Sequence, residues 1–568
     1  MKNRFPVFAI LCVAMIAFAA CEKPVSQFAL YIPKDASLVF TVDTKAVMDK
    51  IASSGMTIDS VVNMLTEQND EQALRWTDIK NSGVDLNQPV SFFSKETNSI
   101  QSGNMKSNGL IAQVEDAKKL EAFLKKERPD NDILSGGKYK YISLGDGAIG
   151  GWTDKIFIIS SVTGGNVSPG TYSTGEGTLS QLQLTTLFTQ DKSASIASVD
   201  EFNDMLSKKG DIRFYTNSSV NLAQAGMLGM TKAKELLQGG YTEGTINFEK
   251  GKMVAAAETH NNKTLADMLG KYPSKEINKD MLTNYPNPVN AFGIIAFNPK
   301  VLADILQYLG FDMMANGYTS QMGFSINDIF NAFSGDIAII VSPGKENSSE
   351  TETPDYKLSA KYYSAFLLNM GIGDKVAFNK VMSGLLNKQV LTKSGDQYQL
   401  GTHGGHGFVI EATGDNFYIS SGDALIKAYE AGNNKSSLPA DVDKEISNKS
   451  MAVYIDIAAL LNTKAKDSSL DIHLHDRSLA FNNTRAAAKE TFKNFIASTD
   501  KGDGKTMKAN LELNFVNAGE NSLASFVKFM AIAHKENPDH KHGWTSYPPL
   551  SRLPGADRLP AVKDSSAN

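Results

Sequence analysis

Two histidines on a glycine-rich segment have the types and spacing of metal ligands. His403 and His406 stand three residues apart in 401–407 (GTHGGHG). Two imidazoles can share Zn²⁺ or another divalent transition metal, and Glu411 or Asp415 could supply a third ligand. The same glycines are also explained by a hairpin turn that needs positive φ. We therefore assign no metal, cofactor or catalytic residue from the sequence. A metal-dependent hydrolase using His403 and His406 is kept as the alternative function.

Other motifs in the chain resemble known sites less closely. His473 and His475 occupy a polar stretch that we interpret as a solvated loop. The segment 504–506 (GKT) has the end of a phosphate-binding loop, but Thr499 stands where the first glycine is required and a strand is predicted next. Residues 500–504 lack two carboxylates of a calcium loop. Both features predict hairpin turns. Neither a G-x-S-x-G elbow nor an H-E-x-x-H motif occurs in the sequence.

The N-terminal residues have the order of a secretory signal that ends at a cysteine. Lys2 and Arg4 precede an apolar run, and small residues lead to Cys21. The apolar run 5–20 is 16 residues long, shorter than the roughly 20 that a membrane-spanning helix needs. This order resembles a bacterial lipobox, although Phe18 stands where leucine is usual. We predict that residues 1–20 are removed and that Cys21 is acylated. A cleaved signal without lipid is the alternative.

Composition limits the partners of the mature chain. Removal of Lys2 and Arg4 leaves 55 basic against 62 acidic residues, a formal charge of −7. So mild an acidic excess argues against nucleic acid as a partner. The other cysteine, Cys12, lies in the predicted signal, so neither a disulfide nor a thiolate zinc site is expected. The partners that we predict are a membrane, through the lipid anchor, and an envelope protein or glycan.

The elements that would position these residues occur twice along the chain. A strand at 38–42 is followed by the helix cap Asp43, and a second strand at 293–297 is followed by the cap Asn298. Hairpins at 140–160 and 398–420 correspond in the same way. We predict an α+β fold, a tandem duplication in which each half has a larger and a smaller module of antiparallel sheet backed by helices. The Gly-, Ser- and Thr-rich stretch 164–179 is interpreted as a connector.

The predicted boundaries follow from this duplication. The signal peptide is 1–20 and the lipidated tether 21–27. The first half is 28–280, with modules at about 28–165 and 195–275. The second half is 285–532, with modules at about 288–430 and 447–532. The polar, proline-bearing tail 533–568 is predicted to be disordered.

Together these features resemble a known family. Cys21, the opening 31–36 (YIPKDA), the repeated strand–helix starts and the paired modules resemble a family of Bacteroidetes envelope lipoproteins known mainly as a domain of unknown function. The resemblance implies an envelope lipoprotein and supplies no catalytic residues.

We therefore expect a lipid-anchored cell-envelope lipoprotein of non-catalytic binding or scaffolding type. Surface-export signals in such lipoproteins are acidic directly after the cysteine, and Glu22 followed by Lys23 resembles them only weakly. The expected location is the outer membrane, on its periplasmic face rather than the cell surface.

Overall fold

The computed structural model describes most of the chain between residues 26 and 535. The described residues are 26–65, 76–99, 103–164, 172–218, 232–286, 288–342, 365–395, 397–400, 409–432, 436–461 and 475–535. None of the helices in these ranges is long and apolar enough to cross a membrane.

Twenty strands form one sheet within the described residues. In the first half they are β1 (Leu38–Val42), β2 (Val90–Ser99), β3 (Gly103–Gln113), β4 (Leu134–Ser135), β5 (Lys140–Gly145), β6 (Ala148–Trp152), β7 (Ile156–Gly164), β8 (Ile212–Asn217), β9 (Tyr241–Phe248) and β10 (Lys252–His260). In the second half they are β11 (Ala291–Ala296), β12 (Phe333–Ser342), β13 (Ala365–Ile372), β14 (Leu391–Ser394), β15 (Gln397–Leu400), β16 (Val409–Thr413), β17 (Asn416–Ser420), β18 (Lys449–Asp456), β19 (Phe492–Asp500) and β20 (Thr506–Phe515).

Eighteen α-helices accompany the strands in the same ranges. They are α1 (Thr44–Ser53), α2 (Ile58–Leu65), α3 (Trp76–Lys80), α4 (Ala117–Glu127), α5 (Tyr172–Thr189), α6 (Asp200–Ser207), α7 (Ala233–Leu237), α8 (Lys263–Gly270), α9 (Asp280–Thr283), α10 (Lys300–Leu309), α11 (Asp312–Ser320), α12 (Ile326–Ala332), α13 (Lys375–Asn387), α14 (Asp423–Ala431), α15 (Ala440–Ile446), α16 (Ile457–Leu461), α17 (His475–Thr491) and α18 (Ser522–Lys535). Short 3₁₀-helices lie at Gln27–Tyr31, Lys192–Ala194 and Ile196–Ser198.

The strand order is the same in both halves, counted outwards from the centre of the sheet. The first half runs β10-β9-β8-β1-β2-β3-β7-β6-β5-β4. The second half runs β20-β19-β18-β11-β12-β13-β17-β16-β15-β14. Every pairing is antiparallel, so the prediction of an α+β fold with antiparallel strands and helices is confirmed. A matching order is what a duplication would produce, but the duplication itself and the domain boundaries stay predictions.

The halves meet where β10 pairs with β20. Lys252 lies opposite Asn514, and His260 lies opposite Thr506. Helix α18 of the second half then packs on α1 of the first, and α8 of the first half packs on α10 of the second. Apolar residues of both halves share one cluster there, including Ile51, Phe248 and Leu523.

Each half has its main core under one face of the sheet. In the first half, Leu184 of α5 and Phe202 of α6 pack against Val39 and Phe93. In the second half, helices α9, α14 and α15 cover Ile294 and Tyr454, with buried residues such as Leu282, Ile426 and Val442. The two cores hold the strands in register and so position the polar groups described below.

Two local predictions from the sequence are wrong. The stretch interpreted as a connector contains the start of α5, because burial of Leu184 and Leu187 against the sheet outweighs the weak helix propensity of its glycines and threonines. His475 begins α17 and does not lie in a loop.

Candidate functional site

The residues singled out for chemistry in the sequence lie mostly outside the described ranges. Cys21, His403, His406 and His473 fall there, so acylation and the hydrolase alternative stay predictions. Of the suggested third ligands, Glu411 is buried in β16, and Asp415 forms an ion pair with Lys375 at 2.8 Å.

The segment 504–506 does form part of a hairpin turn, as predicted. Asp503 Oδ1 accepts hydrogen bonds from the backbone N–H groups of Lys505 (2.8 Å) and Thr506 (2.9 Å). Gly504 has a φ of +87° at the same turn. These contacts stabilise the turn between β19 and β20 and account for the segment as a structural turn.

A polar cleft of about 340 Å³ opens in the second half. It lies between the loop before α9, the strand β13, the β16–β17 turn and helix α14. Four amides and two phenol rings dominate its lining, which includes Asn278, Asn284, Asn369, Asn416, Tyr418 and Tyr429. Its charged residues are both acidic, Asp280 and Glu430. Such a lining offers many hydrogen-bond donors and acceptors to a polar ligand.

Asn369 is the most constrained of these residues. Its side chain is 2% exposed, and its Nδ2 donates to the Tyr429 hydroxyl at 2.9 Å. Tyr429 uses its own proton to donate to the Met281 carbonyl at 3.0 Å. A hydroxyl has one proton, so the amide must present Nδ2 to Tyr429. Asn369 Oδ1 is then left buried without a hydrogen-bond partner among the described residues.

The two tyrosines are held rigidly at the base of the cleft. Their ring centroids lie 5.8 Å apart at an interplanar angle of 71°, an edge-to-face arrangement. Burial raises the pKa of Tyr429 to about 12, and burial also raises the pKa of Tyr418. Both hydroxyls are therefore neutral at physiological pH and can act as donors or acceptors.

The first half has an apolar side chain at the position that matches Asn369. Asp116 and Asp374 cap the helices that follow β3 and β13. Counting back five residues from each cap matches Asn369 with Ile111, which is fully buried. An apolar side chain thus fills in one half the position that an amide holds in the other.

A second polar group lies on the core face of β9 and β10. Register places Glu243 opposite Glu258, and Tyr241 opposite His260. His260 Nε2 lies 3.6 Å from Glu243 Oε1 and 3.5 Å from Glu258 Oε1. Lys208, directly after α6, places Nζ 2.9 Å from Glu243 Oε1. We call Glu243, Glu258 and His260 the hairpin cluster.

Aromatic rings line one side of the hairpin cluster. His260 stacks on Tyr241 with ring centroids 4.4 Å apart, and Tyr241 stacks on Tyr215 at 5.7 Å. Burial, followed by the nearby carboxylates of Glu243, Glu201 and others, raises the pKa of Tyr241 to about 12. The stack fixes the orientation of the imidazole ring of His260.

The profile of one protein family matches most of the chain. The family is described as Domain of unknown function (DUF4836), and the match covers residues 29–462. The chain belongs to the DUF4836 family. The resemblance to a domain-of-unknown-function family is confirmed, while membership of DUF4836 assigns no activity.

Other comparisons add little to DUF4836 membership. Crystal forms III, I and IV of TP0453 are similar at 8%, 8% and 9% sequence identity. They cover 44%, 43% and 43% of the present chain and 87%, 81% and 83% of their own chains, each with a TM-score of 0.23. Scores this low carry no argument about fold or function. No curated protein matches the chain significantly.

The sequence predictions missed both polar sites. Glu243 and Glu258 are 15 positions apart in the chain, but the β9–β10 hairpin register brings them together. The alternation Glu258-Thr259-His260, which places two ligand-type residues on one face of a strand, was the available signal. For the cleft no local signal exists, because Asn369, Met281 and Tyr429 meet only through tertiary packing.

Proposed function

We propose that this DUF4836 protein is a lipid-anchored protein of the cell envelope that binds a polar ligand without chemical turnover. The observation that carries the binding function is Asn369 Oδ1, a buried acceptor without a partner among the described residues, at a cleft of about 340 Å³. An unmet acceptor of this kind costs about 1–3 kcal/mol, and a ligand donor would recover that free energy.

The lining favours a neutral ligand rich in hydroxyl groups, such as a glycan. Amides and phenols exchange hydrogen bonds with sugar hydroxyls, which are both donors and acceptors. The carboxylates of Asp280 and Glu430 would repel a phosphate or another anion at the same place. The net acidic charge of the chain is consistent with a partner that is not nucleic acid.

Acylation of Cys21 would hold the body close to a bilayer. The first described helix, Gln27–Tyr31, begins six residues after Cys21 and buries Phe28 and Ala29 in the core of the first half. Six extended residues span at most about 20 Å. A protein attached by two or three acyl chains would not leave the membrane on the timescale of ligand binding. We place it on the periplasmic face of the outer membrane.

The anchor is tested by growth with labelled palmitate. We expect label in the wild-type protein and in the membrane fraction, and neither in a Cys21→Ala variant. A mature wild-type protein that stays unlabelled and washes free in buffer would contradict the anchor but not the cleft.

The cleft is tested by copying the first half into the second. Asn369→Ile places there the residue type that the first half has at the matching position, Ile111, and should abolish binding of neutral oligosaccharides measured by calorimetry. Asn369→Ser, a smaller change, should weaken binding by about tenfold, the effect of one lost hydrogen bond to a buried group. The control Asn63→Ser, on the exposed side of α2, should bind as the wild type does. Equal binding by all variants, or no binding by the wild type, would contradict the proposal that this cleft binds the ligand.

A further inference from the structure

We propose that the hairpin cluster binds one first-row divalent cation, with Zn²⁺ as the favoured ion. Glu243, Glu258 and His260 each offer one ligand atom, and these atoms lie within 4.8 Å of one another. Imidazole nitrogen with carboxylate oxygens is a ligand set that Zn²⁺ uses in proteins. The proposal is independent of the anchor and of the cleft.

The distances between the ligand atoms suit a small ion. Two ligands about 2.0 Å from a tetrahedral Zn²⁺ lie roughly 3.3 Å from each other. His260 Nε2 is 3.6 Å from Glu243 Oε1 and 3.5 Å from Glu258 Oε1. Movements of a few tenths of an ångström would therefore bring His260 and each carboxylate to the spacing of two ligands of one ion, and water would supply the fourth ligand. Ca²⁺, which takes six to eight oxygen ligands, fits this set poorly.

Burial supplies the second, independent reason. Glu243 is 6% exposed, and its Oε2 has no hydrogen-bond partner among the described residues. His260 Nε2 is also buried without a hydrogen bond in the same part of the chain, although two carboxylates are near it. Buried polar atoms without partners are rare in folded proteins, since each loses its hydration without compensation. A cation bound by the Glu243 carboxylate and by His260 Nε2 would compensate both groups.

Charge at the cluster favours a cation. Four carboxylates, those of Glu201, Asp204, Glu243 and Glu258, contribute to the raised pKa of Tyr241. Two lysines are near them: Lys208, whose Nζ contacts Glu243 Oε1 and whose side chain is 39% exposed, and the exposed Lys508, which lies opposite Glu258 on β20. A half-exposed lysine can swing into solvent when a metal ion takes its place. Lys208 is thus a competitor of the ion.

The second half shows that the fold has no need of these groups. On β19, Ile496 lies opposite Tyr454, as Glu243 lies opposite Tyr215. On β20, Asn514 donates through Nδ2 to Asn494 at 2.8 Å, where the first half has His260 and Tyr241. Glu512 matches Glu258 but is paired with Lys252 at 3.0 Å. An apolar residue and satisfied amides serve the structure at the matching positions.

The test is titration of the mature full-length chain with Zn²⁺ by calorimetry, with Co²⁺ absorption as a report of coordination geometry. We expect one equivalent of Zn²⁺ in the wild type. Glu243→Gln and His260→Ala should each weaken that binding by at least about tenfold, since loss of even a supporting residue has this effect in metal sites. Glu512→Gln, at the matching position of the second half, should leave it unchanged. His403→Ala/His406→Ala should also leave it unchanged, which separates the hairpin cluster from the glycine-rich segment.

A gain-of-function variant keeps the proposal testable if a loss variant fails to fold. Lys208→Met removes the competing ammonium group and should tighten Zn²⁺ binding several-fold. Unchanged or weaker binding by Lys208→Met would overturn the proposal. So would Zn²⁺ binding that persists in a folded Glu243→Gln/His260→Ala double variant, and so would Ca²⁺ bound in preference to Zn²⁺.

Discussion

At the scale of single residues, carboxylates accept backbone hydrogen bonds at the ends of helices and strands. Asp43 accepts a hydrogen bond from the Ala46 N–H at 3.0 Å and so caps α1, as the sequence predicted. Asp211 is buried before β8, where it accepts from the Phe248 N–H and pairs with Lys50 of α1. Asp43 thus accepts a backbone hydrogen that a helix start leaves unpaired, and Asp211 accepts one at the end of β9.

Asp328 provides a prediction about pH. Its carboxylate accepts from Lys380 Nζ at 2.6 Å and from the Ser325 N–H at 2.6 Å, closing a capping box on α12. The hydrogen bond from Lys380, with those from Ser325, lowers the pKa of Asp328 to about 2. A lowered pKa in the folded state means that the carboxylate stabilises the fold fully above its unfolded pKa of 3.8. That stabilisation is lost as the pH falls towards 2.

We therefore expect Asp328→Asn to lower the free energy of unfolding by about 1–2 kcal/mol at neutral pH, the usual cost of a lost cap and ion pair. The difference from wild type should shrink below about pH 4. Urea unfolding at a series of pH values measures it. Asp415→Asn, which removes only an exposed ion pair with Lys375, should differ little from wild type at any pH. A difference for Asp328→Asn that does not change between pH 7 and pH 3 would contradict this account.

At the scale of elements, the sequence predicted most strands but not how they combine. Short apolar runs identified β1, β7, β11 and β17, because each strand buries apolar side chains in a core. The start of α5 was missed, since its first turns are rich in glycine and threonine and only its later residues are buried. Neither polar site was predicted, because each depends on residues from elements distant in the sequence.

Helix α18 shows how one element stabilises the other half of the chain. Leu523, 8% exposed, packs in a cluster with Ile51, Val61 and Phe248 of the first half. We expect Leu523→Ala to lower the free energy of unfolding by about 2–5 kcal/mol, through lost burial and the cavity left behind. Chemical denaturation measures the loss. Ile532→Ala, on an exposed position of the same helix, is the control and should change stability by no more than about 0.5 kcal/mol. Equal effects of both variants would mean that α18 does not hold the first half.

At the scale of the whole molecule, the centre of the sheet has a local two-fold arrangement. Ala256 lies opposite Asn510 at the centre. The pair Lys252–Asn514 on one side corresponds to the pair Thr506–His260 on the other. Pairing of this kind could not be predicted from local sequence patterns, because the two strands are distant in the chain and either could pair with many others. Backbone hydrogen bonds between β10 and β20 unite the halves into one sheet. The packing of α18 on α1 and of α8 on α10 supports this contact.

The central pairing predicts that the halves reassemble as separate chains. Expressed together, fragments 26–280 and 285–535 should form a one-to-one complex, because each alone leaves a long strand edge unpaired and an apolar helix face uncovered. Size-exclusion chromatography with light scattering gives the mass. Ala257→Pro removes a backbone donor that faces β20 in the middle of β10 and should prevent the complex, since proline is not tolerated inside a central strand. Ala257→Ser, which keeps that backbone donor, is the matched control and should leave assembly intact. Two independently stable monomeric fragments would show that these helix contacts and the β10–β20 ladder do not unite the halves.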